Sequence, residues 1–412
     1  MNTPFYGLIG QHLGHSYSSM IHRELGCGDY IHVELEPEEI KGFMERKIGG
    51  LNITIPYKKD VSSFCDILTP EAKEIGAVNT VYEECGKRIG HNTDADGFLF
   101  MAKNAGVELK GKKIVILGSG GASLAVSYAV KKAGARCIVT VSRKGEDNYE
   151  NISRHFDADV IVNATPVGMF PEGEGKPLSL GGFKNLSGVL DLIYNPFRTN
   201  LLIEAEERSI PSANGLSMLV AQAKSAEERF KCRSIDDGEV VKIVKLIARN
   251  TRNIALVGMP GSGKSTVGKV LSRLSGKEVI DLDDEIVKRE KVSIPEIFER
   301  GGEPLFRKIE SEVLQTFANT TGKIIVTGGG AVKTEENYLP LKRTSRIYHL
   351  EREVSSLSRD GRPLSKGADL QKMYEERLPL YERFRDAVVT VDENAEKTAE
   401  SIWRDYCENS CN

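Results

Sequence analysis

The chain has 412 residues, a formal net charge of −3 and 40% hydrophobic residues. This length predicts two to three domains with sizeable cores, and the nearly balanced charge argues against a nucleic-acid binder or a polybasic membrane anchor. No secretory leader and no apolar run of about 20 residues is recognisable, so no membrane span is expected. The seven cysteines are dispersed without a CxxC pair, which argues against a disulfide framework or zinc site and favours a cytoplasmic location.

Short apolar runs alternate with amphipathic stretches along the chain, which predicts an α/β fold with parallel sheets. The predicted strands of the first part are residues 6–9, 50–55, 113–117, 136–141, 160–163 and 189–192. Helical patterns cover residues 122–133, 199–208 and 238–249. The strand series restarts with residues 253–257, 278–281, 323–326 and 345–350. A second α/β unit is therefore expected after a boundary near residues 248–252.

A first glycine cluster follows the predicted strand 113–117 and reads Gly118-Ser119-Gly120-Gly121-Ala122-Ser123. Glycines at such a turn let the backbone approach a pyrophosphate at a helix N-terminus. Ser123 stands where Gly or Ala is usual. The next strand ends in Ser142-Arg143-Lys144, where a cation suits a 2′-phosphate and therefore favours NADP over NAD. An ordinary strand-turn-helix and a solvated loop arginine remain open on these residues alone.

Seven further motifs surround this loop. They are GQHLGHSYSS at 10–19, LNITIPYK at 51–58, GAVNT at 76–80, HNTDADG at 91–97, NATPVGM at 163–169, DLIYNP at 191–196 and GLSMLVAQ at 215–222. Together and in this order they resemble shikimate dehydrogenase across roughly residues 4–248. The sequence departs from that family at His12 and Ser19, where proline is usual.

The resemblance implies a role for each matching residue. Lys58 matches the family's catalytic lysine and Asp94 its aspartate partner. A lysine beside a carboxylate can donate a proton to a developing alkoxide during ketone reduction.

The resemblance also implies binding residues and domain limits. The positions that match the family's substrate site are Ser16, Ser18, Thr54, Asn79, Tyr194 and Gln222. Those that match its NADP site are Gly118, Ser119, Gly120, Gly121, Ala122, Ser142, Arg143 and Lys144, with Asn163, Thr165 and Met169 beside the nicotinamide. The implied domains are a substrate-binding domain over residues 1–100, with helices of about 215–248 packing back, and a Rossmann domain over 101–214.

A second glycine cluster follows the predicted strand 253–257 and reads GMPGSGKS from Gly258 to Ser265. It satisfies the phosphate-loop pattern between a strand and a helix. In such a loop the backbone N–H groups cradle phosphates, Lys264 reaches the β- and γ-oxygens, and Ser265 ligates Mg²⁺. The predicted nucleotide-binding residues are Gly258, Gly261, Ser262, Gly263, Lys264, Ser265 and Thr266.

The motifs after this loop are IDLD at 280–283, GGEPLFRKIE at 301–310, GGG at 328–330, GRPL at 361–364 and RLPLY at 377–381. This set resembles shikimate kinase over roughly residues 251–412, which implies a P-loop NTPase fold like that of nucleoside-monophosphate kinases. The resemblance implies that shikimate is held by Asp283, Arg307, Gly329, Gly330 and Arg377. It also implies catalytic roles for Lys264 and Asp283, a role for Asp281 in positioning Mg²⁺, and a lid arginine, Arg362, that closes over the ATP phosphates.

The two resemblances imply a bifunctional enzyme. Its N-terminal part would reduce 3-dehydroshikimate to shikimate with NADPH, and its C-terminal part would phosphorylate shikimate with ATP and Mg²⁺. The alternatives are a quinate/shikimate dehydrogenase of mixed NAD preference fused to the kinase, and a chain in which one half is a non-catalytic regulatory or binding module. A P-loop regulator or GTPase is a third. Only small molecules are expected as partners, and the sequence makes no prediction of an oligomeric state.

Overall fold

The structure is a computed structural model, which describes residues 4–14, 16–357 and 369–411. It divides into two compact units, Met1–Val244 and Lys245–Asn412. The division falls inside a single helix, Asp237–Thr251. The domain limits stated above stay predictions. In the described ranges, no helix combines the length and the apolar character that crossing a bilayer requires.

Two sheets and eight helices make up the N-terminal unit as far as the structure describes it. The helices are α1 (Ser18–Glu24), α2 (Ile40–Met44), α3 (Pro70–Ile75), α4 (Asp94–Asn104), α5 (Gly121–Lys132), α6 (Asn200–Glu207), α7 (Leu216–Lys231) and α8 (Asp237–Thr251), the last running into the second unit. The strands of the first sheet are β1 (Phe5–Gly10), β2 (Ile31–Glu34), β3 (Ile48–Ile53), β4 (Ile67–Leu68), β5 (Thr80–Glu84) and β6 (Lys87–His91). Their order is β2-β1-β3-β5-β6-β4, with β5 antiparallel to both of its neighbours.

Helix α7 comes late in the N-terminal unit but packs against α4 and the first sheet. Two glycines allow the close approach. A Cβ atom at Gly50 on β3 would lie 2.3 Å from the Phe230 ring, and one at Gly97 on α4 would lie 2.6 Å from the Met218 carbonyl oxygen. The packing brings residues that are more than a hundred positions apart to the same edge of the sheet.

The second sheet is entirely parallel. Its strands are β7 (Lys113–Leu117), β8 (Cys137–Val141), β9 (Val160–Asn163), β10 (Gly188–Asp191) and β11 (Ser212–Ala213), in the order β11-β10-β9-β7-β8. All four residues of β9 and of β10 are buried, as expected of strands covered on both faces. The strand order reverses at β7, and such a switch point opens a crevice at the carboxyl ends of the strands.

The second unit is built on one five-stranded parallel sheet of order β13-β14-β12-β15-β16. Its strands are β12 (Asn253–Val257), β13 (Glu278–Asp281), β14 (Lys323–Val326), β15 (Ser345–Glu351) and β16 (Ala387–Thr390). Its further helices are α9 (Lys264–Ser275), α10 (Leu282–Glu290), α11 (Ile294–Ala318), α12 (Tyr338–Thr344), α13 (Leu370–Phe384) and α14 (Ala395–Asn409). The central strand β12 is buried along its whole length.

The predicted α/β class with parallel sheets is confirmed. The motif at 301–310 lies in α11 at a break that divides this helix into two segments. Gly302, with φ of 67° and ψ of −166°, interrupts the helical geometry, and Pro304 stands in the first turn beyond the break. Proline lacks the N–H that an interior helical position uses, so it suits this restart of the helix.

Candidate active sites

Lys58 and Asp94 form the central pair of the N-terminal unit. Lys58 Nζ donates to Asp94 Oδ2 at 2.7 Å, and the two side chains are 23% and 9% exposed. Asp94 is the first residue of α4, where the helix dipole favours a carboxylate. The pair is therefore fixed on the protein side and open to a ligand on the lysine side.

Asn79 links this pair to helix α7. Its Nδ2 donates to Asp94 Oδ1 at 2.8 Å and to Gln222 Oε1 at 3.1 Å. Its Oδ1 accepts from the Thr93 N–H at 2.8 Å and from the Thr80 hydroxyl at 2.9 Å. These bonds leave one orientation for the amide. The structure thus brings four predicted residues together and adds Thr80, which sequence reasoning missed although it ends the GAVNT motif.

The remaining predicted substrate residues are Ser16, Ser18, Tyr194 and Thr54. Ser16 Oγ donates to Ser18 Oγ at 3.0 Å, and between these serines the Tyr17 ring packs 6.0 Å from the Tyr194 ring. Burial raises the pKa of Tyr194. The Thr54 N–H donates to the carbonyl oxygen of β1 residue Ile9 at 2.9 Å, which places Thr54 at the carboxyl end of the first sheet.

One glycine of the dinucleotide loop is enclosed and two border open space. Gly118 has a φ of 103°, and a Cβ there would lie 2.9 Å from Thr165 Cγ2, so only glycine fits. Side chains at Gly120 and Gly121 would meet nothing within 4 Å. The Ser123 hydroxyl donates to the Gly120 carbonyl at 2.6 Å, which explains why serine is compatible with the third motif position. Ser119 is exposed and Ala122 half-buried in the same turn. A pyrophosphate at the N-terminus of α5 fits this cradle.

The predicted adenosine and nicotinamide residues flank this cradle on the neighbouring strands. Ser142, Arg143 and Lys144 follow β8, and both cations are exposed. On the other side, Asn163 ends β9 and its Oδ1 accepts from the Thr165 N–H at 3.0 Å and hydroxyl at 2.7 Å. Met169 is 46% exposed.

Gly120→Ala is expected to weaken NADPH binding about tenfold without loss of stability. The methyl group would occupy the space that a phosphate needs, and one lost charged hydrogen bond accounts for an effect of this size. Because Gly120 has an extended backbone, with φ of −83°, alanine is tolerated there. Fluorescence titration with NADPH and thermal unfolding measure the two quantities. Gly28→Ala, at another exposed glycine with open space around it, is the control; equal NADPH affinities in the two variants would contradict the prediction.

The phosphate loop of the second unit folds around Lys264, the first residue of α9. Lys264 Nζ donates to the carbonyl oxygens of Gly258 at 2.8 Å and Met259 at 2.9 Å. Gly258, Gly261 and Gly263 all have φ between 83° and 149°, a region that favours glycine. Ser262 is buried within the loop, and Thr266 is exposed in the first turn of α9. The backbone N–H groups at the start of α9 therefore border the loop as a phosphate site requires.

Ser265 and Asp281 form the predicted metal position. Ser265 Oγ donates to Asp281 Oδ2 at 2.7 Å, and Asp281 Oδ1 caps α10 by accepting from the Asp283 N–H at 3.2 Å. Over the described part of the chain, no group of three or more His, Cys, Asp or Glu side chains converges as a metal-binding cluster. Two oxygen ligands of this kind fit Mg²⁺, which takes few protein groups and completes its shell with phosphate oxygens and water.

A cavity of about 220 Å³ opens beside the phosphate loop. Arg377 reaches it from α13 and donates to the Gly329 carbonyl at 3.0 Å, which the Tyr381 hydroxyl also contacts at 2.6 Å. Arg307 is paired with Glu310 and, at 3.2 Å, with Glu303. The predicted residues that line the cavity are Gly261, Gly263, Lys264, Ser265, Thr266, Asp281, Asp283, Arg307, Gly329, Gly330 and Arg377. Residues that sequence reasoning did not assign to it include Glu310, Phe298, Phe306 and Thr327.

Gly330 has a defined steric role in this cavity. A Cβ atom there would lie 2.1 Å from Arg307 Nη2, so glycine is what lets the guanidinium occupy its place. The predicted lid residue Arg362 lies outside the described residues, and its role stays a prediction.

Asp283 and Glu310 are the two acids lining the cavity whose pKa is raised, and Asp283 is the one predicted to act on the substrate. Burial raises its pKa, and repulsion from Asp281 raises it further, while Lys264 and Arg307 oppose the rise. A raised pKa means that the carboxylate takes up a proton at a higher pH than an ordinary aspartate, near 3.9. Asp283 is therefore better suited to accept a proton from a bound hydroxyl.

The pKa of Asp283 is accordingly expected above that of an ordinary aspartate in protein without nucleotide or Mg²⁺. Asp281→Asn removes the largest repulsive charge and should lower this pKa. Asp284→Asn, at an exposed neighbour that contributes least to the pKa, should give a smaller shift in the same direction. An NMR titration of the Asp283 carboxyl carbon measures the pKa in the three proteins; an unchanged pKa in Asp281→Asn would refute the assigned cause.

Both parts of the chain are similar to known protein families. The family model "Shikimate dehydrogenase substrate binding domain" matches residues 8–81, and the model "Shikimate kinase" matches residues 260–407. The shikimate dehydrogenase (NADP(+)) of Clostridium beijerinckii is 37% identical over 254 residues, covering 57% of this chain and 94% of that relative.

Two crystal structures extend the comparison. A chorismate mutase/shikimate 5-dehydrogenase fusion protein from Clostridium acetobutylicum is 38% identical with a TM-score of 0.57, over 60% of this chain and 98% of that one. The shikimate 5-dehydrogenase of Listeria monocytogenes, in complex with shikimate and NAD, is 29% identical with a TM-score of 0.53, over 59% of this chain and 96% of that one.

Proposed function

Since the chain belongs to the shikimate dehydrogenase family and carries a shikimate kinase domain over residues 260–407, we propose that it catalyses two consecutive reactions on one small acid. The N-terminal unit reduces 3-dehydroshikimate to shikimate with NADPH. The C-terminal unit transfers the γ-phosphoryl group of ATP to the 3-hydroxyl of shikimate, with Mg²⁺.

The family memberships confirm the two predicted classes of activity, an oxidoreductase and a phosphotransferase. They also make this a bifunctional enzyme of the shikimate pathway. The predicted cofactors, NADP(H), ATP and Mg²⁺, are those of the two families. The direction of the first reaction and the identity of both substrates are the proposal.

In the dehydrogenase the bound cofactor supplies the hydride. Lys58 Nζ donates a proton to the substrate oxygen that becomes negative as the ketone is reduced. Asp94 holds the lysine in place through its 2.7 Å bond and stabilises its charge. Asn79 and Gln222, joined to the same network, present polar groups to the ring hydroxyls.

In the kinase the bound nucleotide supplies the phosphoryl group and the metal offsets its charge. Arg307 and Arg377 bind the substrate carboxylate, since guanidinium groups match it in shape and charge. Asp283 orients the attacking hydroxyl and accepts its proton. Lys264 and the glycine-rich backbone stabilise the negative charge that spreads over the transferred group.

One observation carries the proposal: a single chain contains both the Lys58–Asp94–Asn79–Gln222 network and a cavity that combines a P-loop lysine, an acid of raised pKa and two arginines. Each site suits a hydroxylated carboxylic acid. The product of the first reaction is therefore chemically suited to be the substrate of the second.

The test incubates the full chain with 3-dehydroshikimate, NADPH and Mg-ATP and follows the products by mass spectrometry. One equivalent each of NADP⁺, ADP and shikimate 3-phosphate is expected. Omitting ATP should stop the sequence at shikimate, and omitting NADPH should prevent both products. Consumption of NADPH without any phosphorylated acid would defeat the coupled function.

A second candidate, a dehydrogenase of mixed cofactor preference, is favoured by the Listeria relative, whose structure contains shikimate and NAD. Comparing kcat/KM for NADP and NAD, each with shikimate and with quinate, decides between the two. A clear preference for NADP that falls in Arg143→Ala supports the first candidate; similar values for both cofactors support the second.

A further inference from the structure

Asp191 is a buried carboxylate that none of the proposed steps uses. It ends strand β10 and its side chain is fully buried. It lies in register with Asn163 on β9, which in turn lies in register with Leu117 on β7, the residue before the dinucleotide loop. The three residues form one row across the carboxyl edge of the second sheet.

Both oxygens of Asp191 are occupied by donors from the protein. Oδ1 accepts from Asn163 Nδ2 at 3.0 Å and from the Ile193 N–H at 3.0 Å, and Oδ2 accepts from the Thr199 hydroxyl at 2.7 Å. The bond to Asn163 fixes which end of that amide points toward Asp191. The other end, Asn163 Oδ1, is then free to accept both donors of Thr165.

Thr165 transmits this arrangement to the dinucleotide loop. Its methyl carbon fills the position beside Gly118 that a side chain there would need, at 2.9 Å from an ideal Cβ. A row of direct contacts therefore runs from Asp191 through Asn163 and Thr165 to Gly118. Without an acceptor at position 191, Asn163 Nδ2 keeps only its longer bond to the Val167 carbonyl oxygen, at 3.4 Å. The amide, and the turn that follows it, are then held less firmly.

We propose that Asp191 is a positioning residue of the dehydrogenase, which sets the Asn163–Thr165 turn against the dinucleotide loop and thereby determines the affinity for the nicotinamide cofactor. The inference rests on the proposed use of NADPH by this unit. Its effect falls on the cofactor more than on the substrate, because the Lys58–Asp94–Asn79–Gln222 network contains no bond to Asp191. The segment that contains the predicted substrate residue Tyr194 does not depend on Asp191 alone, because the Gly215 N–H also donates to the Ile193 carbonyl.

The acceptor oxygen rather than the negative charge is what this role requires. Both N–H donors converge on Oδ1, whereas Oδ2 faces a hydroxyl, which can either donate or accept. An asparagine at this position can keep its oxygen toward Asn163 and Ile193 and turn its amino group to Thr199. Burial raises the pKa of Asp191 to about 6, and protonation on Oδ2 would leave the Asn163 bond in place in the same way.

The experiment compares Asp191→Leu with Asp191→Asn in the full chain. Leucine has a similar size but no acceptor, so the KM for NADPH is expected to rise about ten- to hundredfold, the range for losing a hydrogen bond to a charged group. The KM for 3-dehydroshikimate should change less than about threefold. Asparagine should restore the KM for NADPH to within about threefold of the wild type.

Thr199→Val is the matched control. It removes the donor to Oδ2 and the N-cap of α6, so it lowers the melting temperature, but it leaves Asn163 untouched. Its KM for NADPH should equal that of the wild type. Kinase activity reports the concentration of full-length chain in each sample, and circular dichroism with thermal unfolding reports whether the dehydrogenase unit is folded.

Provided that the wild type is an NADPH-dependent dehydrogenase, three results would overturn the proposal. The first is an unchanged KM for NADPH in Asp191→Leu. The others are a KM for NADPH that rises in Asp191→Asn or in Thr199→Val as much as it does in Asp191→Leu. Absence of NADPH-dependent activity in the wild type would instead defeat the proposed function itself.

Discussion

Lys58→Met is expected to lower the dehydrogenase kcat by about 10²- to 10⁴-fold, the range that a positioned proton donor contributes. Methionine has a similar length but carries no proton to donate. Asp94 keeps its bond from Asn79, so the site should stay folded and still bind substrate. Steady-state kinetics with NADPH and 3-dehydroshikimate measure the loss.

Lys59→Met is the control for this substitution. Lys59 is the exposed neighbour of Lys58, so the same chemical change there should leave kcat within about twofold. Kinase activity should be unchanged in both variants, because that site lies in the other compact unit. A Lys58→Met variant that retains more than a tenth of the wild-type kcat would rule out a proton-donor role.

Lys264→Met is expected to lower kinase activity by about 10²- to 10³-fold, as removal of one preorganised group that stabilises transition-state charge typically does. The ammonium group is held within the phosphate loop by the carbonyl oxygens of Gly258 and Met259. A coupled assay of ADP release measures the loss, and the dehydrogenase rate of the same sample should equal that of the wild type.

Lys269→Met on the exposed face of α9 controls for charge loss on the same helix. It should retain full kinase activity. If Lys264→Met removed both activities while the protein stayed folded, the two sites would not be independent.

Sequence reasoning was most successful where structure is decided by neighbouring residues. The phosphate loop was predicted correctly as strand, loop and helix, since its glycines adopt φ values that other residues avoid and the flanking patterns are local. The break at Gly302 was not predicted, because a Gly-Gly pair alone does not reveal whether a helix ends, restarts or continues through it.

The sequence was least informative about residues that hold the predicted site residues in place through hydrogen bonds and ion pairs. Thr80, Glu310 and Tyr381 lie inside quoted motifs, but nothing in their spacing shows that they fix Asn79, Arg307 and the Gly329 carbonyl. In the sequence, Ser123 looked like a departure from a glycine motif in which Gly or Ala is usual at this position. The structure shows instead that its hydroxyl holds the loop carbonyl.

By itself the sequence determined that this nearly neutral, glycine-rich chain carries two phosphate-binding turns and two series of motifs, because strand periodicity and glycine conformation are properties of short segments. Only the tertiary structure decided which polar groups meet. Asn79 and Gln222 are 143 positions apart, and Asp191 reaches Asn163 across two adjacent strands. Such contacts depend on strand order and on burial, and a buried carboxylate acquires its role from the donors that surround it rather than from its place in the chain.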